Sequence, residues 1–421
     1  MVLVEFFDKE PIDNLIGVIT MRPEKVYLVG ELKKVTKQAE LYNCFLEHRN
    51  IESVFVPVSV IKNNIAMIVE KLSEIVESSD ECYFGLTGGD DTALVSVGMV
   101  YEKYKNDKKI FLHRYNIQNN TISYVESTSE ESIEHLIPGI TVAESVSLHG
   151  GSISHEAFKP SRSNEWDFSS EAFKSDVDEM WEISCRNPSR WNAVLGTLNA
   201  WESVKEISDD PLKTTVALSH VTNIVNTSPN AINTVCRLLF ELATSGLVFN
   251  FKRTDKEISF TYKNADVKRC LSKAGNVLEL KTLFTAMKTT DKSGKLLYDE
   301  FDIQVCIDWD GKYHEMGDDE KDTSNEIDVV LVKGLVPFFI SCKNGSVGDD
   351  ELYKLNTVTR RFGGRYAKKV LVATHLGKNG ESAEYFRQRA RDMGIILIDN
   401  VHEMEDKEFM KALRSLPSRN Y

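Results

Sequence analysis

The sequence predicts an α/β protein of more than one domain, and three observations lead to that prediction. Residues 1 to about 125 alternate short apolar runs with amphipathic helical patterns. Residues 268–400 alternate strand and helix patterns again, in a different order. The chain has 421 residues, which is enough for two or three domains. Strands with little polar alternation, each followed by a helix, are typical of a parallel sheet that is covered on both faces.

The N-terminal region, residues 1–150, is expected to form a Rossmann-like, doubly wound domain. Apolar runs alternate with helical patterns, which is the order of parallel strands joined by helical crossovers. The strand candidates are Val2–Phe7, Val26–Val29, Val54–Pro57, Cys82–Gly85 and Ile110–His113. The helix candidates are Ile12–Thr20, Val35–His48, Ile65–Glu77 and Asp91–Tyr104.

The middle region, residues 151–266, predicts helices followed by a β-hairpin. An amphipathic helix that begins near Asn230 ends at Gly246, and two alternating strands around a polar turn follow it. This order is similar to that of a winged-helix module. Arg237 is the only basic residue of the helix, so we expect packing or dimerisation rather than DNA reading, which stays the alternative.

The C-terminal region, residues 267–421, predicts an α-β-β-β-α-β order that is followed by one further helix and one further strand. Its helix candidates are Lys273–Lys288, Asp350–Arg361 and Glu381–Met393. Its strand candidates are Phe301–Asp308, Glu326–Val332, Pro337–Lys343, Lys369–Ala373 and Ile395–Ile398.

Composition places the chain among ordinary folded proteins, with 42% apolar and 27% charged residues. No apolar run approaches the roughly 20 residues that span a bilayer, and the N-terminus lacks the pattern of a signal peptide. The seven cysteines, an odd number, include no CxxC pair, which favours reduced thiols. We therefore expect a cytoplasmic protein with no membrane partner.

Charge is distributed unevenly along the chain. The net charge of −13 argues against a protein that coats duplex DNA by bulk charge. Residues 298–328 contain twelve acids and two lysines, whereas residues 360–369 carry five positive charges. Each run alone is typical of a solvated surface, but Lys343 lies between them. The basic run is therefore a candidate guide for a nucleic acid backbone.

Asp328 and Lys343 are the best candidates for catalytic residues. They interrupt two otherwise apolar strands, one on each side of the turn near Lys333 that joins those strands. Antiparallel pairing would bring the two side chains together at one end of the sheet. A charge within a buried strand is costly unless it is paired or metal-bound. This pair predicts a phosphodiesterase site in which carboxylates hold Mg²⁺ or Mn²⁺.

Four further residues belong to this expectation. Glu279 lies in the preceding helix, and Glu326 faces the same side of its strand as Asp328. Ser341 stands where an acid two residues before the lysine would be expected, so its hydroxyl is a weak neutral ligand. Glu279 or Glu326 would then supply the second acid. The carbonyl of Cys342 is a further candidate metal ligand, with Asp328 and Glu279.

A glycine turn in the first domain is a candidate ligand site. Residues Leu86–Thr92 follow an apolar strand and precede a helix, and they include Gly88 and Gly89. Glycines let the backbone approach a ligand closely, and a helix N-terminus offers free N–H groups. An ordinary turn with an aspartate that caps the helix is the simpler interpretation. Neither a P-loop nor a GxGxxG pattern is present.

Together these residues resemble the CRISPR ancillary nucleases that join a CARF domain (CRISPR-associated Rossmann fold) to a PD-(D/E)xK nuclease domain. The resemblance covers roughly residues 1–125 and 270–400. Its matching pieces are the Leu-Thr-Gly-Gly turn, the G-x-x-L-E helix start at Gly275–Glu279, and the segments NEIDV, ISCKNG and RFGG.

The resemblance implies a homodimer that binds a cyclic oligoadenylate, often cyclic tetra-adenylate, made in type III CRISPR antiviral defence. Ligand binding would open a metal-dependent nuclease to single-stranded or double-stranded DNA or RNA. The loops after the first two strands would add ligand contacts, and two aspartates after the glycines would cap the helix or contact ribose hydroxyls. The implied ligand-binding residues are Thr87, Gly88, Gly89, Asp90, Asp91, Thr92, Asp8, Lys9, Gly30 and Glu31.

Three other classes of protein compete with this interpretation. A nucleotide-sensing regulator could bind DNA through the winged-helix-like region, but it leaves residues 270–400 unexplained. A HEPN nuclease would need an arginine followed at five to seven residues by a histidine, and the chain has no such pair. A degenerate nuclease fold that only binds is the third alternative, because of Ser341.

Overall fold

The protein is described here by a computed structural model, which covers residues 1–116, 120–125, 135–136, 138–153, 165–312, 323–377 and 380–418. The prediction of an α/β protein is confirmed. The chain forms two compact units. Unit 1 comprises Met1–Gly151 together with Val332–Val336 and Gly364–Tyr366, and unit 2 comprises Ser152–Leu331, Pro337–Gly363 and Ala367–Tyr421. The expected boundary between residues 266 and 267 stays a prediction.

Unit 1 contains a seven-stranded sheet in the order β3-β2-β1-β4-β5-β6-β7. The first five of these strands pair in parallel, and β6 and β7 are antiparallel additions. The strands are β1 (Val2–Phe6), β2 (Lys25–Gly30), β3 (Val54–Ser59), β4 (Glu81–Gly85), β5 (Lys109–Asn116), β6 (Thr121–Tyr124) and β7 (His135–Leu136).

The helices of unit 1 connect the parallel strands as the sequence predicted. They are α1 (Pro11–Met21), α2 (Leu32–His48), α3 (Ile65–Glu77) and α4 (Asp91–Tyr104), with α5 (Val142–Leu148) after the sheet. Apolar side chains of β1, β4, α3 and α4 form a common core that includes Phe6, Phe84 and Leu72. Because the strands are parallel, the loops after β1, β2, β3 and β4 meet at one edge of the sheet.

The first part of unit 2 is helical and carries a small sheet. Its elements are α6 (Glu171–Arg186), α7 (Pro188–Glu202), β9 (Lys213–Ala217), α8 (Leu218–Asn223), α9 (Pro229–Thr244), β10 (Val248–Arg253), β11 (Glu257–Tyr262) and α10 (Ala265–Ser272). The sheet order is β10-β11-β9, and both pairs are antiparallel. The expected helix and hairpin are therefore present as α9, β10 and β11.

The rest of unit 2 is a six-stranded sheet in the order β16-β15-β14-β13-β12-β8. Strands β14, β15 and β16 pair in parallel, and β8 pairs antiparallel with β12. The elements are β8 (Ser152–Ile153), α11 (Asn276–Lys288), β12 (Glu300–Asp308), β13 (Ser324–Lys333), β14 (Val336–Lys343), α12 (Asp349–Phe362), β15 (Lys368–Ala373), α13 (Gly380–Asp392), β16 (Ile395–Ile398) and α14 (Asp406–Arg414).

Two features of this sheet position the candidate site. Helix α11 is buried continuously from Asn276 to Ala286, so an acid within it is held in the interior. Strands β13 and β14 are joined by a two-residue turn in which Gly334 has a φ of 60°, a backbone conformation that favours glycine. Asp328 and Lys343 are thereby brought to neighbouring strands, as the sequence predicted.

One predicted boundary is wrong in a way that matters for the site. The helix expected over Lys273–Lys288 begins only at Asn276, as α11, and a separate helix, α10, ends at Ser272. Lys273 has extended backbone angles of φ −136° and ψ 127°. Residues 126–134 and 154–164, and much of the acidic run, residues 313–322, lie outside the described residues. In the part of the chain that the structure describes, no helix is long and apolar enough to cross a membrane.

Candidate active site and ligand cleft

Asp328 is the centre of the candidate active site in unit 2. It lies on β13 and is 7% exposed. The backbone N–H of Cys342 donates to Asp328 Oδ2 at 2.7 Å, and Lys343 Nζ lies 3.2 Å from the same oxygen. The hydroxyl of Ser341 is also 3.2 Å from Oδ2. The end of β14 therefore presents three donors to one buried carboxylate.

Lys343 lies between two carboxylates. Its Nζ is 3.2 Å from Asp328 Oδ2 and 3.3 Å from Glu351 Oε1. Burial alone would lower the pKa of Lys343, but the two negative charges raise this pKa well above its usual range. The side chain is therefore a protonated donor. It can orient water or offset developing negative charge, and it is not poised to remove a proton.

Three carboxylates meet on the other side of Asp328. One oxygen each from Glu279, Glu326 and Asp328 lies within 4.8 Å of the others. Glu279 comes from α11 and is 2% exposed, and Gln304 Nε2 donates to its Oε2 at 2.8 Å. Burial, with the neighbouring charge of Asp328, raises the pKa of Glu279. An oxygen-rich group of this kind suits a hard divalent cation such as Mg²⁺ or Mn²⁺.

The structure adds Lys273 to this group, which the sequence interpretation missed. Its Nζ lies 2.5 Å from Glu326 Oε1 and 3.5 Å from Glu279 Oε1. The break between α10 and α11 explains the contact, because the extended Lys273 in this break can turn its side chain toward both acids. The Lys273 ammonium therefore offsets negative charge at the carboxylates that could hold a metal.

Replacing Lys273 with methionine is expected to tighten Mn²⁺ binding. The metal would no longer compete with a resident ammonium, and the Lys273 side chain is 40% exposed. We expect about a fivefold lower Kd, equivalent to the ~1 kcal/mol of a partly exposed ion pair. Isothermal titration calorimetry measures it, with Lys354→Met as the control, because Lys354 pairs with Asp350 and not with one of the three acids. Weaker Mn²⁺ binding in Lys273→Met would show instead that this lysine holds the acids in place.

Glu351 is a second residue that sequence reasoning missed. It lies in the first turn of α12, and its Oε1 is 2.8 Å from Ser341 Oγ. The acidic run Asp349-Asp350-Glu351 shortly after Lys343 was the sequence signal that could have indicated Glu351.

Cys342 is buried, and its Sγ contacts Thr282 Oγ1 at 3.6 Å. The predicted ligand was the Cys342 carbonyl, and that role stays a prediction.

Unit 1 contains a separate cleft of about 320 Å³ at the edge where the parallel strands end. Six of the ten predicted ligand residues line it: Asp8, Lys9, Gly30, Glu31, Gly89 and Asp90. Gly89 has a φ of 94°, so a side chain there would be strained. Asp90 caps α4 by accepting the N–H of Ala93 at 3.0 Å, as predicted. Phe6, Phe7, Val29, Val60, Ile68 and Ala93 form the apolar part of the lining.

Four predicted ligand residues are not among the lining residues of this cleft. Thr87 accepts the backbone N–H of Tyr115 at 3.0 Å, so its hydroxyl supports β5. Thr92 is 3.4 Å from Asn63 Oδ1 through its hydroxyl, and Asp91 is exposed in the first turn of α4. Gly88 faces Asn14 and the backbone of β1. Residues that follow one another in a tight turn point in different directions, so they cannot all face the same ligand.

Three polar residues of the cleft were missed: Lys34, Lys62 and Asn63. Lys34 follows β2 and forms an ion pair with Glu31 at 2.7 Å. Lys62 and Asn63 follow β3, so they reach the same edge of the sheet as the glycine turn. Together with Lys9, these lysines give the cleft three cationic groups. Because these residues follow predicted strands, the sequence could have indicated that they lie at the ligand edge of the sheet.

The predicted basic guide at residues 360–369 needs correction. Arg365 belongs to unit 1, where its guanidinium pairs with Asp13, and its backbone N–H donates to Glu10 Oε2 at 2.5 Å. Lys369 bonds to Asn356 Oδ1 at 2.9 Å and to the Met393 carbonyl. These two cations are used within the protein, because each of them is already bonded to acceptors of its own unit. Arg360 and Arg361 are exposed.

The fold can be compared with known proteins. No family model matches the sequence, and no curated protein matches it. Among solved structures, protein VC1899 from Vibrio cholerae matches with a TM-score of 0.66 and 17% identity, covering 99% of this chain and 97% of that one. Can2 from Sulfobacillus thermosulfidooxidans, solved in complex with cyclic tetra-adenylate, matches with a TM-score of 0.63 and 15% identity, covering 99% and 97%. This chain therefore shares its fold with both proteins over nearly its whole length.

Proposed function

We propose that this protein is a nuclease of type III CRISPR antiviral defence that needs a divalent metal and is activated by a cyclic oligoadenylate. The observation that carries the proposal is the meeting of Glu279, Glu326 and Asp328 within 4.8 Å, beside protonated Lys343. Acids that crowd together around a buried carboxylate repel one another, so the group favours a bound cation. A lysine next to such a group suits phosphodiester hydrolysis.

The proposed chemistry assigns a task to each residue. Asp328 and Glu279 would hold Mg²⁺ or Mn²⁺, with Glu326 as an accessory acid and the Cys342 carbonyl as a further donor. The cation would supply charge stabilisation at the phosphoryl oxygens and a more acidic water. Lys343 would orient the attacking water and offset the charge that develops on phosphorus-bound oxygens. Ser341 would help to hold the Asp328 carboxylate in place through its hydroxyl.

The proposed activator site is the cleft of unit 1. Can2, which shares the fold, was solved with cyclic tetra-adenylate, and a ring of phosphodiesters needs cations and close backbone approach. Lys9, Lys34 and Lys62 provide the cations, and Gly30 and Gly89 leave the backbone open. Asp8 and Asp90 would face ribose hydroxyls, because carboxylates accept such hydrogen bonds and repel phosphates.

The proposal also includes the finer organisation of the chain. Residues 1–150 would be the CARF domain, residues 151–266 a winged-helix-like connecting region, and residues 267–421 the PD-(D/E)xK domain. The protein would act as a homodimer in which activator binding opens the nuclease to DNA or RNA. Its cytoplasmic location stays a prediction.

A cleavage assay tests the proposal as a whole. Labelled single-stranded DNA, labelled RNA and supercoiled plasmid are incubated with the protein, with and without Mn²⁺ and with and without cyclic tetra-adenylate. We expect cutting of at least one substrate only when metal and activator are both present, and none after EDTA is added. No cutting of any substrate under any of these conditions would contradict the proposal.

A regulator that binds DNA without cutting is the second candidate. Ser341 in place of a motif acid and the hairpin β10–β11 after α9 favour it. This candidate predicts duplex binding that changes with cyclic tetra-adenylate and needs no metal. An electrophoretic mobility assay in EDTA distinguishes it from the nuclease, because the regulator would still shift a duplex under that condition.

A further inference from the structure

We propose that Glu351 of α12 supplies, from the neighbouring helix, the metal-ligating carboxylate that Ser341 cannot supply from the strand. The inference rests on the proposed function, because it adds a residue to the same nuclease site. Glu351 would join Asp328 and Glu279, which the proposed function already assigns to the metal.

The geometry places the Glu351 carboxylate against Ser341. Residues 341 and 343 are two apart on β14, so their side chains face the same side of the sheet. Unit 2 has a small cleft that Asp328, Ser341 and Lys343 line, and a glutamate at position 341 would enter this cleft. The serine side chain is shorter, and Glu351 Oε1 lies 2.8 Å from its hydroxyl. The helix acid therefore fills the space that the short strand residue leaves.

The contacts of Glu351 are also those of a site residue. Its Oε1 is 3.3 Å from Lys343 Nζ, which in turn contacts Asp328 Oδ2 at 3.2 Å. Ser341 Oγ is within hydrogen-bond distance of the Asp328 and Glu351 carboxylates. A hydroxyl has one proton and an ammonium has three, so these donors bridge the two acids without neutralising both. A divalent cation would supply the remaining positive charge.

Acids at the start of a helix are common, because they interact favourably with the helix dipole. The neighbours of Glu351 show that this explanation is not sufficient here. Asp350 is 72% exposed and pairs with Lys354, and Asp349 is 41% exposed and pairs with Arg389. Only Glu351, at 18% exposure, lines the cleft with Asp328, Ser341 and Lys343. Of the three acids in this turn, Glu351 alone faces the candidate active site.

Glu351→Gln and Asp350→Asn form a matched pair of variants. Both remove one negative charge from the same helical turn, but only the first touches the cleft. We expect Glu351→Gln to weaken Mn²⁺ binding about tenfold or more, measured by calorimetry in the absence of nucleic acid, and to reduce cleavage about 100-fold. Asp350→Asn should match the unaltered protein within about twofold. Circular dichroism and melting temperature check the fold of each.

Exchanging the two residues gives the sharpest test. Glu351→Ser alone should lose Mn²⁺ affinity, whereas the double variant Ser341→Glu/Glu351→Ser returns an acid to the strand. We expect the double variant to recover Mn²⁺ binding to within about tenfold of the original Kd, and to recover cleavage with it. Recovery of this kind would not follow if Glu351 only stabilised α12.

Two outcomes would overturn the inference. One is unaltered Mn²⁺ binding in Glu351→Gln, whether or not cleavage is lost. The other is a double variant that binds Mn²⁺ no better than Glu351→Ser. Failure of the proposed function is distinguishable from both. If the unaltered protein binds Mn²⁺ through Glu351 but cuts nothing, the nuclease proposal fails and the assignment of Glu351 stands.

Discussion

Asp328→Asn is expected to reduce metal-dependent cleavage by about 1,000-fold and to leave the fold intact. Asparagine has the same shape and keeps an acceptor oxygen for the Cys342 N–H, which lies 2.7 Å from the aspartate. It loses the negative charge that belongs to the three-acid group and that pairs with Lys343. We therefore expect Asp328→Asn to weaken metal binding and charge stabilisation and to leave packing unchanged.

The measurement is a single-turnover cleavage rate at saturating Mn²⁺ and activator. Asp392→Asn is the matched control, because Asp392 is an exposed acid at the end of α13 that bonds to Gln388. Its rate should equal that of the unaltered protein. If Asp328→Asn cut at more than about a tenth of the original rate, Asp328 would not be a metal ligand and the proposed site would be wrong.

Lys62→Glu is expected to weaken binding of cyclic tetra-adenylate about 100-fold, which corresponds to ~3 kcal/mol. Lys62 lines the cleft of unit 1 with Lys9 and Lys34. Replacing a cation by an anion removes a charge-assisted hydrogen bond and adds repulsion toward a phosphate. The activator concentration for half-maximal cleavage should rise by a similar factor, and cleavage at saturating activator should be retained.

Fluorescence anisotropy with a labelled ring measures the Kd, and Lys71→Glu is the matched control. Lys71 lies on α3 of the same unit and pairs with Glu74 at 2.8 Å, but it is not a lining residue of the cleft. The affinity of the unaltered protein should also fall with added salt, because the recognition is electrostatic. Equal affinity in Lys62→Glu and Lys71→Glu would place the ring elsewhere.

Much of the fold could be predicted because its signals are local. Each parallel strand of unit 1 is a short apolar run, and the patterns between the runs have helical periodicity. Asp328 and Lys343 could be paired for a similar reason. A tight turn between two strands sets their register, so residues a few positions before and after Gly334 lie on neighbouring strands.

The sequence by itself determined the α/β class, the succession of most strands and helices along the chain, and the pairing of Asp328 with Lys343. Only the tertiary structure decided which distant side chains join that pair. Glu351 contacts Lys343 from the start of α12, and Lys273 contacts Glu326 from the end of α10. Lys62 lines the cleft of unit 1 from the loop after β3. Arg365, which looked like a surface cation, is paired with Asp13. Such contacts depend on how elements pack across long sequence separations, and no local pattern of residues encodes that packing.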